Sequence, residues 1–539
     1  MAAGTSKLIR ELKQVVHLFD EQSRLRKASL LKKLAAAPLP GGKDLLEYHD
    51  LLLFLFAYPD SAGNRKLVAV SLNRVVAFAK KNKQNAKMLI ENEGLPYAPV
   101  ITRFSPDFMK WLLQHKDIKV EFDSFYDPAL TLNEVLNITL PTLFKAETTA
   151  GLSNEDLLAE LGISSKNYLN FLAGQIASLD DRPLLKELFN DKINAYVKLV
   201  PKNEKFSRGF NRIETDEIYY HDELLKKFDP QSLINQEVAV IDPLPAEKDI
   251  LYKCIRNAMA LSVREIDPAT FLQKDTIRIY NVGRGLQLSI YSMLPERQLP
   301  LETYFGFTFF KNGMPVSYGG VWVFGKLARL GMNIFEPYRA GESGYLLTQL
   351  IRVFYQEMGN TYFEIEPYQF GLDNYDGIKS GAFWFYHKFG FRPVDKELFK
   401  IAEDEHRKIK TRKHYRTPEK TLVRFTDSNI ALHLNSGKKP LDVLDINRKI
   451  LSLIKNKWQH NYTAAREEAI ETFCSATETD RSVLGVAERN TLEETALWAM
   501  AFKVRDKKRL SLMKEMVFTK TSDDYKYQQL LLQFFNSSS

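Results

Sequence analysis

The stretch Met332–Gly359, MNIFEPYRAGESGYLLTQLIRVFYQEMG, decides how the middle of this chain folds. It predicts a strand that ends at Phe335, a glycine-containing turn, and a helix that begins near Ser343. The helix has one continuous apolar face, formed by Leu346, Leu347, Leu350, Ile351 and Phe354. A second strand, TYFEIEPYQF, is predicted shortly after the helix ends at Gly359.

The turn between the first strand and the helix has the composition of a phosphate site. A turn that feeds a helix leaves backbone N–H groups unpaired at the positive end of the helix dipole. Gly341 and Gly344 let the backbone approach a ligand closely, and Arg339 supplies a charge-assisted contact. The sequence therefore predicts a phosphate or pyrophosphate site here. The alternative is an ordinary helix start that Ser343 or Gly341 caps.

Several segments that precede this turn have the composition of strands. They are rich in β-branched and aromatic residues and are separated by Gly, Asn and Pro. Their sequences are TIRIYNV, LQLSIYSML, YFGFTFFKNG, PVSYGGVWVF and ARLGMNIF. Asn312-Gly313, between the third and the fourth, predicts a hairpin turn. With the predicted helix DILYKCIRNAMALSV before them, these segments indicate a mixed α/β (α+β) domain over residues 241–430.

The two ends of the chain are predicted to be mainly helical. In residues 1–240 and 431–539, apolar residues recur at three- and four-residue spacing. Two prolines in Val240–Asp249, VIDPLPAEKD, mark a linker before the central domain. The role of both helical regions stays open, and a protein partner that binds through them is one alternative.

The segment Ser380–Pro393, SGAFWFYHKFGFRP, completes a recognisable order of motifs. The order of these elements resembles that of the GCN5-related N-acetyltransferase superfamily: a strand, a glycine turn, a helix, a strand and then FYHKFGF. Members of that superfamily carry a strand, an RGxGxG turn, a helix and then AxxFYxKxGF. Ala382 stands four residues before Tyr386, as the pattern requires. The resemblance covers Arg329–Pro393 closely and residues 247–394 loosely.

The resemblance implies a mixed, mostly antiparallel sheet in which two strands part to hold acyl-coenzyme A, acetyl-coenzyme A in the simplest case. The implied coenzyme-binding residues are Met332, Asn333, Ile334, Arg339, Ala340, Gly341, Ser343 and Gly344. By its position, Tyr386 would protonate the leaving thiolate, and the alternative is a core tyrosine whose hydroxyl is satisfied at the edge. The implied activity is transfer of an acyl group from coenzyme A to an amine of unknown identity.

The general base is poorly fixed by position in this superfamily. Glu364 and Glu366 share one face of a predicted strand, and one carboxylate can raise the pKa of its neighbour. We take Glu364 as the candidate base, with a solvated strand face as the alternative. Glu336 and His387 are the other candidates. A backbone N–H near Asn333 is expected to polarise the thioester carbonyl.

Two departures from the family pattern leave a second hypothesis open. Glu342 stands where a glycine is usual, and a carboxylate there would repel a pyrophosphate. Lys379 replaces the usual asparagine, for which Asn374 is the alternative. The second hypothesis is a catalytically inactive binding or scaffold protein that recruits a partner through its helical arms. Glu342→Gly would strengthen coenzyme binding under the first hypothesis and change nothing under the second.

Other functional classes receive little support. Cys254 and Cys474 are far apart and have no neighbours at metal-ligand spacing, so neither a disulfide framework nor a metal site is predicted. The motifs GxSxG, HExxH and GxxxxGK[ST] do not occur. No apolar stretch approaches the roughly 18 to 20 residues of a spanning helix. We therefore expect a cytoplasmic protein without a membrane span.

The net charge of +8 favours acidic partners only mildly. A basic run, Glu405–Lys420, EHRKIKTRKHYRTPEK, contains seven Lys or Arg residues and could contact nucleic acid or an acidic substrate. It has one aromatic residue, Tyr415, and matches no nucleic-acid module. The sequence alone therefore favours a solvated surface, and we do not expect nucleic acid as a partner.

Overall fold

The structure, a computed structural model, describes residues 2–139, 151–180, 182–435 and 438–537. The chain forms two compact units, each built from several segments. Unit 1 consists of Met1–Glu223, Ile250–Thr270 and Asn312–Pro315, and unit 2 of Leu224–Asp249, Phe271–Lys311 and Val316–Ser539. The predicted central domain and the predicted C-terminal helical region both fall mainly within unit 2.

The helices lie as follows: α1 Ala2–Val15, α2 Glu21–Ala36, α3 Gly42–Ala57, α4 Ala62–Lys81, α5 Pro106–Leu113, α6 Leu132–Thr139, α7 Asn154–Glu160, α8 Tyr168–Ala177, α9 Pro183–Ile193, α10 Pro230–Ile234, α11 Pro245–Leu261, α12 Asp267–Thr270, α13 Ser343–Met358, α14 Tyr375–Ser380, α15 Ala382–Lys388, α16 Lys396–Thr411, α17 Glu419–Phe425, α18 Val443–Trp458, α19 Tyr462–Thr477, α20 Val486–Ala501, α21 Lys507–Thr519 and α22 Asp524–Asn536.

The strands lie as follows: β1 Val100–Thr102, β2 Ile118–Phe125, β3 Ala195–Pro201, β4 Val240–Ile241, β5 Arg278–Asn281, β6 Leu286–Tyr291, β7 Thr303–Lys311, β8 Met314–Phe324, β9 Leu327–Ile334, β10 Tyr362–Ile365, β11 Arg392–Pro393 and β12 Ile430–His433.

Unit 1 combines helices with a three-stranded antiparallel sheet in the order β1-β3-β2. The prediction of a mainly helical region 1–240 missed this sheet. Strand β2, IKVEFDSF, has one buried residue, Ile118, and is otherwise half-buried or exposed. A strand with so little burial lacks the clear alternation of apolar and polar residues by which strands are recognised.

His49, on α3 of unit 1, is fully buried, and neither ring nitrogen has a hydrogen-bond partner among the described residues. Burial lowers the pKa of His49 from 6.5 to about 3, and the charge of Arg208 adds to the effect. Unfolding restores the ordinary pKa and lets the ring take up a proton. The stability that depends on neutral His49 is therefore complete above pH 6.5 and is lost as the pH falls from 6.5 toward 3.

We expect acid to destabilise the wild-type protein more steeply than the variant His49→Leu, which has no ring to protonate. One such group changes the free energy of unfolding by at most about 1.4 kcal/mol per pH unit. Urea denaturation of both proteins at neutral and mildly acidic pH measures the difference. The same pH dependence in both proteins would show that His49 is not the group responsible.

Unit 2 is built on a nine-stranded sheet in the order β11-β12-β10-β9-β8-β7-β6-β5-β4. The sheet is mostly antiparallel, and within it β9 and β10 run parallel. Helix α13 connects these two strands, because parallel neighbours require a crossover. The prediction of a mixed α/β fold with a large, mostly antiparallel sheet is confirmed.

Two local predictions are also confirmed. In the turn between β7 and β8, Asn312 has φ of 46° and Gly313 has φ of 83°, as the primed hairpin turns require. Helix α13 begins at Ser343 and is closed by Gly359, which has a left-handed φ of 67°. Its predicted apolar face is buried in full, at Leu346, Leu347, Leu350, Ile351 and Phe354.

The aromatic segment forms α15 and the turn after it. Phe383 stacks on Phe425 with 4.0 Å between the ring centroids. Phe383 and Phe391 are buried, whereas Phe389 is half-buried. Phe383 and Phe391 thus pack in the interior, as predicted for most of these residues.

Helices α18 to α22 share a hydrophobic cluster with two residues from the sheet region, Leu301 and Phe324. The largest buried member is Trp498, whose ring lies 5.7 Å from that of Phe324. The predicted C-terminal helices therefore pack in the same unit as the sheet. Along the described parts of the chain, no helix has both the length and the apolar character needed to cross a membrane.

Candidate functional site

The parallel strands β9 and β10 pair over only part of their length. The pairing runs from Leu327 and Tyr362 to Arg329 and Glu364 and then stops. Strand β9 continues to Ile334 and stays paired with β8 over that whole distance. From residue 330 to the end of the strand, β9 therefore has no strand partner on its β10 side among the described residues, and we call this stretch the gap. This gap lies directly before the turn that leads into α13.

The backbone of β9 directs two of the predicted residues toward the gap. Peptide groups alternate sides along a strand, and the N–H of Phe335 donates to the carbonyl of Val316 on β8 at 3.1 Å. The peptide groups of Met332 and Ile334 consequently face away from β8, toward the gap. Those of Asn333 face β8, and its carbonyl also accepts a hydrogen bond from Ser317 Oγ at 2.7 Å.

The turn before α13 leaves donors free. The N–H of Gly341 donates to the carbonyl of Tyr338 at 2.9 Å. The N–H groups of Ser343, Gly344 and Tyr345 have no acceptor among the described residues, as expected for the first turn of a helix. Arg339 is exposed, and its Nε lies 3.4 Å from the carbonyl oxygen of Ile334. Free amides, a positive helix end and an arginine can together bind an anion.

The side chain of Glu342 points into the protein rather than toward a ligand. It is 1% exposed, and its carboxylate lies 2.7 Å from Lys311 Nζ and 2.9 Å from the guanidinium of Arg284. It also accepts a hydrogen bond from the N–H of Leu225 at 2.9 Å. Burial lowers the pKa of Lys311 to about 8, and Glu342 opposes that shift. The negative charge that departs from the family pattern is therefore balanced inside the fold.

Two side chains lie against the backbone of the predicted coenzyme site. A Cβ on Gly344 would meet the ring of Phe389 at 2.2 Å, so only glycine allows this contact. A Cβ on Gly331 would meet the carboxamide nitrogen of Gln369 at 3.0 Å. That carboxamide makes no hydrogen bond to a described residue. Gln369 could not be predicted from the sequence, because its position beside β9 follows from the turn after β10 and from no local pattern.

Tyr386 is buried, with 4% of its surface exposed. Its ring lies edge-on to Phe385 and Phe391, at 5.2 Å and 5.9 Å between centroids. Its hydroxyl has no hydrogen-bond partner among the described residues, so both the catalytic role and the alternative of a core tyrosine with its hydroxyl at the edge stay predictions. Burial raises the pKa of Tyr386, so the hydroxyl keeps its proton at neutral pH and can donate it to a stronger base.

A charged cluster lies where β9 and β10 part. Arg329 Nε is 3.2 Å from Glu364, and Lys439 Nζ is 3.6 Å from the same carboxylate. Glu302, at the start of β7, lies 3.8 Å from Arg329 and makes no hydrogen bond to a described residue. Burial raises the pKa of Glu302, although Arg329 opposes the shift. Arg329 pairs with both carboxylates, but Glu364 has the shorter contact and a second cation in Lys439, so Glu302 is the better placed of the two to accept a proton.

The other candidate residues, His387, Asn374 and Glu366, make contacts that explain their presence without a catalytic role. Burial and the charge of Arg392 lower the pKa of His387 to about 4. Asn374 caps α14 by accepting a hydrogen bond from the N–H of Gly377, and it donates to the carbonyl of Tyr368 at 3.0 Å. Glu366 is exposed, 3.9 Å from Arg329. Glu302 was missed because it is distant in sequence from the motifs that carry the resemblance.

Five of the predicted coenzyme-binding residues thus lie on one continuous stretch of strand and turn beside the gap. They are Met332, Ile334, Arg339, Ser343 and Gly344.

Comparisons of the chain with protein-family models, with curated proteins and with solved structures found no match.

Proposed function

We propose that the protein is an acyl-coenzyme A-dependent N-acyltransferase, with acetyl as the simplest acyl group, and that unit 2 has the layout of a GCN5-related N-acetyltransferase. The observation that carries the proposal is the gap between β9 and β10. The edge of β9 that has no partner in β10 leads to the free amides of Ser343, Gly344 and Tyr345, with Gln369 and Phe389 lying against the backbone on the way. An extended ligand with a phosphate at one end fits such a combination of strand edge and helix start.

The strand order supports the same proposal. A single parallel pair, β9 and β10, lies within an otherwise mostly antiparallel sheet, and β12 is inserted between β10 and β11. This arrangement supports the proposal, because the resemblance implies two parallel strands that part. In this layout the pantetheine would lie along Met332 and Ile334, and the pyrophosphate would lie over the turn.

The proposed chemistry forms a bond between the amine nitrogen and the acyl carbon and breaks the bond between that carbon and sulfur. An N–H of Met332 or Ile334 stabilises the oxyanion, because both face the gap. Glu302 or Glu364 accepts the proton that the amine loses. Tyr386 gives its proton to the leaving thiolate, which departs as a neutral thiol, and the tyrosinate takes a proton back from solvent.

Calorimetry with acetyl-coenzyme A and with coenzyme A tests the proposal. We expect the wild-type protein to bind both, and we expect Arg339→Glu to weaken binding at least ~10-fold, because a charge-assisted contact becomes a repulsion. Arg10→Glu, on α1 of unit 1, makes the same change of charge at an exposed position and should bind as the wild type does. No detectable binding by the wild type, with no effect of Arg339→Glu, would rule out the catalytic proposal.

A second candidate is a binding or scaffold protein of the same fold without the activity. Phe389 against Gly344 and Gln369 against Gly331 favour it, because both side chains lie where the coenzyme would pass. If neither the wild type nor the variants Phe389→Ala and Gln369→Ala bind acetyl-coenzyme A, the scaffold reading is the better one. Binding that appears only in the variants would show that a coenzyme site exists and that Phe389 or Gln369 blocks it in the wild-type protein.

A further inference from the structure

Helix α16 buries one side and presents a row of cations on another. The row consists of Lys396, Lys400, Arg407 and Lys410, all exposed, at helical spacings of four, seven and three residues; Asp404 lies within its length and pairs with Arg407 at 2.9 Å. Residues at these spacings lie on one face of a helix. The buried side is formed by Leu398, Ala402 and Glu405. At 1.5 Å per residue the row is about 21 Å long.

The positive charge continues beyond the end of α16. Arg412, Lys413 and Arg416 are exposed in the loop before α17, and Lys420 and Arg424 are exposed on α17 itself. None of these five side chains forms an ion pair with a described residue. A solvated helix face usually carries charges of both signs in pairs. An unpaired excess of one sign is instead typical of a surface that binds a polyanion.

The loop between α16 and α17 is held in place by a buried residue of α16, Glu405. Glu405 is 4% exposed and accepts hydrogen bonds from the Tyr415 hydroxyl at 2.8 Å and from Lys408 Nζ at 2.7 Å. His414 has a positive φ of 63°, which turns the chain at the tip of the loop. A fixed loop loses little conformational entropy when its cations bind a ligand. The sequence alone could not show this anchoring.

We infer that α16, the loop and α17 bind the phosphodiester backbone of double-stranded nucleic acid without reading its sequence. A row of about 21 Å can follow roughly six phosphates along one strand at 3.4 Å each. Single strands are bound chiefly by stacking on exposed aromatic rings. Tyr415 is the loop's only Phe, Tyr or Trp, its hydroxyl is tied to Glu405, and the one such ring exposed on α16 is Phe399, too few for successive bases to stack. The inference does not depend on the proposed acyltransferase activity.

Fluorescence anisotropy with the full chain and labelled 20-base-pair DNA and RNA duplexes tests the inference over a range of salt concentrations. The triple variant R412E/K413E/R416E is expected to bind at least ~10-fold more weakly. The slope of log K against log[salt] should also become shallower by roughly two to three, since each phosphate contact contributes about 0.9. The matched control K80E/K81E/K83E changes three exposed lysines at the end of α4 and should keep the wild-type affinity and slope.

Four results would overturn the inference. They are undetectable duplex binding by the wild type, equal losses in the two triple variants, tighter binding to a 20-nucleotide single strand than to the duplex, and binding confined to phosphatidylserine vesicles. The last result would assign the surface to a membrane. Circular dichroism melting checks that both triple variants fold. If R412E/K413E/R416E does not fold, R412Q/K413Q/R416Q makes the same comparison, with a smaller loss of slope expected.

Discussion

Replacing Glu342 with glutamine is expected to lower the free energy of unfolding by about 3 to 5 kcal/mol, because the change leaves a buried lysine without its counter-charge. Glu342 is 1% exposed, and Lys311, 2.7 Å away, is fully buried. Arg284 and the N–H of Leu225 bind the same carboxylate, each at 2.9 Å. Loss of one partner costs more than loss of both, since the remaining charge keeps its desolvation penalty.

Urea denaturation measures this effect, and two controls identify its cause. The double variant Glu342→Leu with Lys311→Met removes the two fully buried charges and should recover most of the loss, because the remaining Arg284 side chain is 17% exposed. Glu468→Gln breaks an exposed pair with Lys457 and should change the free energy by less than about 1 kcal/mol. If Glu342→Gln were as stable as the wild type, the carboxylate would not be part of a buried charged cluster.

The position of Glu342 also changes what is expected of Glu342→Gly. From the sequence, the carboxylate lies beside the pyrophosphate, so a glycine strengthens coenzyme binding. In the structure the carboxylate points inward and holds Leu225, Arg284 and Lys311 together. We therefore expect Glu342→Gly to loosen the turn and to weaken coenzyme binding.

Features that depend on neighbouring residues could be predicted from the sequence. Asn312-Gly313 fixes a hairpin because both residues tolerate a positive φ. The buried face of α13 follows from the spacing of its leucines and from the closing Gly359. These features persist in almost any tertiary context, so local reasoning is sufficient for them.

Features that depend on distant residues could not be predicted. The partners of Glu342 lie 31, 58 and 117 residues away in the chain, at Lys311, Arg284 and Leu225. No local pattern tells whether a carboxylate in a turn faces a ligand or the interior. The same applies to Gln369 and Glu302, which reach the gap only through the topology of the sheet. The half-exposed strand β2 was missed because it buries too little to show a pattern.

Arg329→Met is expected to lower the free energy of unfolding by about 2 to 4 kcal/mol, because Arg329 holds several carboxylates together where β9 and β10 part. Its guanidinium lies 3.2 Å from Glu364 and 3.8 Å from Asp442, which are 2% and 4% exposed. Glu302 lies 3.8 Å away. Without the arginine, Lys439 alone balances these groups. Arg329 is itself 12% exposed, so the loss should be smaller than for a fully buried pair.

The pH dependence of that loss identifies its cause. In the variant, the pKa of Glu302, which burial already raises, loses the opposing effect of Arg329, so the destabilisation is complete at neutral pH and shrinks as the pH falls toward 4. Lost packing alone would give the same deficit at both pH values. Arg448→Met, which breaks an exposed pair with Asp445, is the matched control in urea denaturation and should cost less than about 1 kcal/mol. Arg329 and Glu364 are the last residues that pair β9 with β10. A deficit that shrinks in acid would therefore mean that charge, and not strand hydrogen bonding alone, fixes where the gap begins.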